Sequence, residues 1–331
     1  MGILFSPFSS SFSPPAPPAS SIDSLSDEEV YALIEGTDKT RSTCLNFPPD
    51  GNFFHLLTPS VWRISADAVV KEQDSPTAYD AYMIDFVQSR TSILTPKVRR
   101  VLPVRDAVRG GQWWIVMDYI DGRTLKLAWP MMSWWHRLRT VWTLRRYIQQ
   151  LRRLSLPLPD KPGPFDGTDN ALRCQGMYFS EDGAGPFASF KEMAAWYDYK
   201  RYCLQAFFHE QYGRRWSCPK FDMSHPLVLC HNDLTMGNIM VDRTNKIWLI
   251  DWGFAGAAPP WFEYAHLAGW ETAAIPQDRP PKSWQFFFRF IAGNYRSYFK
   301  DYLGRLVPLI DSYPAIHYED GYFEGIGLSP D

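Results

Sequence analysis

"HNDLTMGNIMVDRTNKIWLIDWG", residues 231–253, sets Asp233, Asn238 and Asp251 among short apolar runs and polar turns. "PLVLC" from Pro226, "IMV" and "IWLI" read as strand segments, with "DRTNK" as the turn between the last two. The polar residues gather at the strand ends. Asp233 and Asn238, five residues apart across Gly237, can curl around one point, and Asp251 reaches it from the end of the next strand. Oxygen ligands without a zinc-like cluster of histidine and cysteine suit Mg²⁺, which takes one or two carboxylates together with substrate phosphates and water. In outline this is a phosphoryl-transfer site.

The rest of the chain permits such an enzyme. Its 331 residues are 45% hydrophobic, enough to bury a sizeable core. Lysine and arginine total 34 against 36 acidic residues, so the net charge of -2 gives no broad attraction to nucleic acid or an anionic membrane, and neither is expected as a partner. The five cysteines are odd in number and scattered without a CxxC pair, which argues against a disulfide framework or zinc site and suggests small buried packing. No apolar run approaches a membrane span. The N-terminus lacks the form of a signal peptide, and Pro7 is a poor context for the loose myristoylation pattern at Gly2, so a cytoplasmic location is expected.

Residues 1–25, rich in Ser, Pro and Phe, read as a disordered tail. Ser26 and Glu29 then form a capping box for a helix to about Glu35. "SVWRISADAVVKEQ" reads as a hairpin turning near Ala66-Asp67, with Lys71 closing its second strand. Ser75-Pro76 suits the start of a helix through about Ser89, with Tyr79, Met83, Phe86 and Val87 on one face. "KVRRVLPVRD" and "QWWIVMDYI" supply two more strands, and beyond Gly122 the pattern is mainly helical. In the arginine-rich segment 136–154, Leu138, Val141, Trp142, Leu144, Ile148, Leu151 and Leu154 are expected to be buried and the arginines to form a solvated face.

The spacing His231-x-Asp233-x4-Asn238, followed by Asp251, resembles the catalytic loop and metal-binding aspartate of kinase-like phosphotransferases. More closely, "HNDLTMGNIMVD…IWLIDWGFAG" resembles the aminoglycoside phosphotransferase and choline kinase-like enzymes, their fungal relatives in particular. "AVVKEQ", "SILTPKV", "WWIVMDYIDGRTL", "GPFASFKEMAAWY" and "PPWFEYAHL" follow in the family's order, so the resemblance spans roughly residues 60–270. It implies an α+β, protein-kinase-like fold, with a β-rich N-lobe over residues 26–120 and a larger, mainly helical C-lobe over 121–331 holding the catalytic loop and acceptor site. It also implies an Mg²⁺-dependent O-phosphotransferase that uses ATP or GTP. Asp233 would be the catalytic base or orienting group, Asn238 and Asp251 the metal ligands, and His231 a brace for the loop. Lys71 would bind the α- and β-phosphates, and the backbone of Asp118, Tyr119 and Ile120 would meet the nucleotide base.

Two features depart from the family pattern. Asp80 stands where a glutamate usually pairs with the lysine, and "TPSVWRISAD" has no Gly-x-Gly-x-x-Gly. They motivate an alternative, a catalytically weak nucleotide-binding pseudoenzyme or scaffold, while a metal-dependent hydrolase on Asp233 and Asp251 would leave Lys71 unexplained. Only seven residues separate Asp251 from "PPWFEYA", too few for a peptide-docking activation loop, so a small hydroxylated acceptor is favoured: an amino alcohol, a sugar or an aminoglycoside-like molecule. Acidic residues of "FDGTDN", Glu181, Asp182, Glu263 and Glu271 could meet a polycation, and Trp252, Trp261, Tyr264 and Trp270 could box a quaternary ammonium, although core packing is the default for any one of these aromatics.

Overall fold

The computed structural model describes residues 19–38, 60–105, 111–179, 183–213, 215–269 and 279–306. Ser26 accepts from the Glu29 N–H and the Glu29 carboxylate returns to the Ser26 N–H, which starts helix α1 (Asp27–Glu35) as its sequence dictates. Strands β1 (Val61–Arg63), β2 (Ala68–Asp74), β3 (Val98–Pro103) and β4 (Gln112–Asp118) form an antiparallel sheet in the order β1-β2-β4-β3.

The two-residue period of the strands sorts their side chains between two cores. Ala68 and Val70 of β2, with Trp114 and Val116 of β4, pack beneath Val30, Tyr31 and Ile34 of α1. Val69, Ile115 and Met117 point the other way, onto helix α2 (Tyr79–Arg90). Lys71 shares the parity of Val69 and so points to the α2 side of the sheet. It does not close its strand, because β2 runs on to Asp74 through pairing with β4. Helix α2 begins at Tyr79 rather than at Ser75-Pro76: the Ser75 N–H is drawn to Gly111 O at 2.8 Å, and Ala78 caps the helix without a side-chain bond.

A second correction concerns the tail. Residues 19–25 belong to the fold, since Ser20 and Asp23 cap a 3-10 turn over Ser21–Ser24 and Ile22 is fully buried in the core under α1. One apolar residue decided the matter, because its burial is tertiary and shows no local periodicity. Residues 1–18 lie outside the described part.

Strand β5 (Gly122–Thr124) leads into α3 (Leu125–Ala128) and then α4 (Trp134–Leu151), which is capped by Ser133. The long helix α5 (Phe190–Tyr212) ends at Gly213 in the left-handed conformation, φ 60°. Strands β5, β7 (Ile239–Asp242) and β8 (Ile247–Leu249) make one small sheet, and β6 (Val228–Cys230) pairs with β9 (Gly256–Ala258). Helices α6 (Trp261–Gly269), α7 (Lys282–Gln285) and α8 (Phe288–Ala292) and a π-helical turn at Tyr298–Leu303 complete the C-terminal part. The result is the α+β, kinase-like fold expected from the sequence. The Trp142 side chain departs from expectation, standing 58% exposed on α4 while Val141, Leu144, Ile148 and Leu151 are buried. Cys174, Cys203, Cys218 and Cys230 are free and buried, and Cys44 lies outside the described residues.

Candidate active site

Strand pairing brings the residues of 231–253 together. Ile239 faces Leu249 across the β7–β8 pair, and the Ile250 N–H donates to Asn238 O at 3.0 Å. Asn238, just before β7, and Asp251, just after β8, therefore lie at the same end of that sheet. The Asn238 side-chain amide donates to Asp233 Oδ2 at 2.6 Å and to Asp233 O at 2.9 Å, closing the loop on itself. Asp251 turns out of its strand with φ 62°, a conformation rare for a residue with a side chain and one that concentrates at functional sites.

Lys71 crosses from the N-terminal sheet to meet this group. Its ammonium donates to Asp80 Oδ2 and, at 2.7 Å, to Asp251 Oδ1. Burial opposes the Lys71 charge, but the Asp251 and Asp80 carboxylates outweigh it and hold the ammonium above the usual lysine range. The Lys71 charge in turn holds Asp251 below the usual carboxylate range, while burial raises Asp80 above it. Asp80 is completely buried and reaches the lysine despite being one methylene shorter than glutamate, because α2 carries it directly beneath β2. Burial, then repulsion from Asp251, pushes the Asp233 carboxyl up to about 8. A carboxylate with that affinity for a proton suits work as a base near neutral pH.

His231 is buried and pushed down to about 4 by that burial, so it is a neutral ring. Its Nδ1 accepts the Asp233 N–H at 3.3 Å and its Nε2 lies 3.1 Å from Ile250 O, which ties the loop to the end of β8. A second tie was missed in the sequence. Glu263, read there as an acceptor-site acid, is buried on α6, and its Oε2 accepts the His231 N–H at 2.7 Å. Two more residues reach the Lys71 cluster unannounced. Tyr79, which the helical pattern assigned to packing, donates its hydroxyl to Gly253 O at 2.8 Å. Gly253 itself runs so close that a Cβ there would lie 3.3 Å from Lys71 Nζ and 3.4 Å from Asp251 Oδ1. Its place directly after Asp251-Trp252 was the only available signal.

The segment after β4 is more committed than its sequence suggested. The Asp118 N–H donates to Lys97 O at 3.0 Å and the Tyr119 N–H to Asp67 O at 2.8 Å, while the Asp118 side chain binds Arg99. Ile120 alone of the three has an N–H with no acceptor among the described residues. Trp252, Trp261 and Tyr264 take the default of core packing and form no aromatic box, and Trp270, Glu271, Glu181 and Asp182 lie outside the described residues. The composition of 231–253 could not distinguish core tryptophans from surface ones.

The donor set fits a hard divalent cation bound together with phosphates. Asp251 offers a carboxylate, and Asn238, whose NH₂ is committed to Asp233, leaves its amide oxygen as the free end. Among the described residues no cluster of three or more His, Cys, Asp or Glu is placed to hold a metal ion.

Residues 83–285 match a family described as the phosphotransferase enzyme family. Solved structures similar in fold include a thermostable mutant of aminoglycoside phosphotransferase APH(4)-Ia in ternary complex with ADP and hygromycin B. It is 13% identical, over 92% of this chain and 96% of that one, with a TM-score of 0.47. The gentamicin complex of APH(2")-IIa is 14% identical over 92% of each chain, with a TM-score of 0.44. No curated protein matches the chain.

Proposed function

Because the chain belongs to the phosphotransferase enzyme family, and so is a kinase that acts on hydroxyl groups, we propose that it transfers the γ-phosphoryl group of ATP or GTP to a small hydroxylated molecule, an amino alcohol, sugar or aminoglycoside-like compound, with Asp233 facing the acceptor. The observation that carries this reading is the reach of Lys71 between Asp80 and Asp251, within the same group of elements as Asp233 and Asn238.

In this reading Lys71 holds the α- and β-phosphates and is itself held by Asp80, while the Ile120 N–H donates to the nucleotide base. Asp251 and Asn238 would hold magnesium, which supplies positive charge against the phosphate oxygens. Asp233 accepts the hydroxyl proton, or orients the hydroxyl, as the acceptor oxygen attacks phosphorus and the bond to the β-phosphate oxygen breaks. The Asn238 amide fixes the Asp233 carboxylate, and His231 and Glu263 hold the loop that carries it.

The test is transfer of labelled γ-phosphate from ATP and from GTP to a panel of amino alcohols, sugars and aminoglycosides, with nucleotide titration by calorimetry. Asp251→Asn should lose most Mg²⁺-dependent nucleotide binding. Asp233→Asn should keep nucleotide affinity within a few-fold while turnover drops by roughly a hundred- to ten-thousand-fold. If both variants bind and turn over like the wild type, the assigned site is wrong. Nucleotide binding without transfer to any acceptor would instead favour the pseudoenzyme.

A further inference from the structure

A groove of about 1320 Å³ lies away from Lys71, between α4 and the α7–α8 region. On α4 the exposed residues facing it are Trp135, Arg139, Trp142 and Arg146, whose spacing of four, three and four puts them in one stripe along the helix. The facing stripe repeats the chemistry with Lys282, Phe286, Arg289, Phe290 and Arg296, all exposed. The lining contains five cations and no carboxylate, and among the described residues none of the five has a carboxylate partner. An ordinary solvated helix face mixes both signs and leaves its tryptophans inside. The chain as a whole is slightly acidic, so this cationic excess is local.

We propose that this face seats the protein on an anionic lipid bilayer. Trp135 and Phe286 stand 79% exposed and Trp142 58%, open to solvent rather than buried at the floor of a slot, where a peptide groove buries its hot spots. Protruding indole and phenyl rings suit the headgroup boundary, and arginines interleaved with them meet lipid phosphates at the same depth. Stacking of nucleobases fits less well, because the rings already pack on one another. Trp142 and Phe290 lie 5.6 Å apart at 35°, Phe286 packs on Phe287 at 5.2 Å, and the Arg145 guanidinium covers Phe290 at 4.6 Å. No helix of the described residues is long and apolar enough to cross a membrane, so the contact is peripheral. The absence of a spanning segment and a balanced net charge, which had argued against a membrane partner, do not bear on a local patch of this kind.

The test is co-sedimentation of the full chain with vesicles of phosphatidylcholine alone and of phosphatidylcholine containing phosphatidylserine, at low and high salt, with tryptophan quenching by brominated lipid. Binding is expected only to the anionic vesicles, weakened by salt and accompanied by quenching. The double variant Arg139→Glu with Arg146→Glu should weaken it by at least about tenfold. Trp135→Ala with Phe286→Ala, both exposed and so harmless to the core, should weaken it and reduce quenching, with far-UV circular dichroism unchanged. No vesicle binding, equal binding to neutral vesicles, indifference to the charge reversal, or binding to RNA or an acidic peptide without binding to vesicles would each overturn the proposal. None of these outcomes depends on whether phosphoryl transfer is observed.

Discussion

A methyl group at Gly253 would crowd the Lys71 ammonium. A Cβ at 3.3 Å from Lys71 Nζ would displace the ammonium by a few tenths of an ångström, while Asp251 Oδ1 at 3.4 Å stays in ordinary contact. Gly253→Ala should therefore lower turnover by about tenfold or more, on the scale of misplaced catalytic groups, while changing stability by less than about 1 kcal/mol. Steady-state kinetics and a denaturant midpoint on the same variant test both parts, and wild-type turnover would remove Gly253 from the site. Glu263 poses an electrostatic question. Burial pushes its carboxyl up to about 7 from an ordinary 4.5, so the folded chain holds this proton more tightly than the unfolded chain does. Its stabilising effect is then complete below pH 4.5 and is lost as pH rises through about 7. Glu263→Gln keeps an oxygen for the His231 N–H and cannot ionise. Unfolding free energies measured across that window should fall with pH in the wild type more steeply than in the variant, and parallel curves would show that Glu263 titrates normally.

At the scale of elements, the turn at Ser21–Ser24 shows how a short segment joins a fold without a pattern of its own. Ile22 sits fully buried beside Val30, Tyr31, Trp62 and Trp114, and Asp23 pairs with Arg99 at 2.7 Å. Ile22→Ala should cost about 2–4 kcal/mol, the range for truncating a buried aliphatic side chain, read as a fall in the denaturant midpoint at constant slope. A loss below about 0.5 kcal/mol, the size of surface substitutions, would return this segment to the tail. The strand pairs teach a related point. Lys71 lies on the side of α2 because it shares the parity of Val69, and a one-residue slip of β2 against β4 would send it under α1 instead. The position of Lys71 in the cluster is thus a consequence of sheet register.

Over the whole molecule, the largest core does not stop at the boundary between the β-rich and helical parts. Val69, Met83, Phe86 and Ile115 from the N-terminal sheet and α2 share one cluster with Leu144, Tyr147, Leu249 and Trp252 from beyond β5. The Lys71–Asp251 ion pair and the Tyr79–Gly253 hydrogen bond cross the same boundary. The two parts should therefore unfold together: far-UV circular dichroism and tryptophan fluorescence are expected to report one coincident denaturant transition. Two separated transitions would show that the shared core contributes little to cooperativity.

The strand-and-turn pattern of 231–253, the capping box at Ser26 and the hairpin over "SVWRISADAVVKEQ" are local chemistry, and each appears in the structure where the sequence put it. The places of Asp233, Asn238 and Asp251 at strand ends were legible in short-range order, whereas Lys71 and Asp80 were singled out by the family resemblance. Which polar groups are already spent was not legible. The Asp118 and Tyr119 amides are consumed by Lys97 and Asp67, and Glu263 is drawn inward to the His231 backbone, through contacts between residues distant in the chain. The same limit applies to tryptophan. Trp252 is core and Trp135 is surface, yet both sit in apolar, helix- or strand-like surroundings in the sequence. Burial is decided by what packs against a side chain, and that neighbour comes from another element.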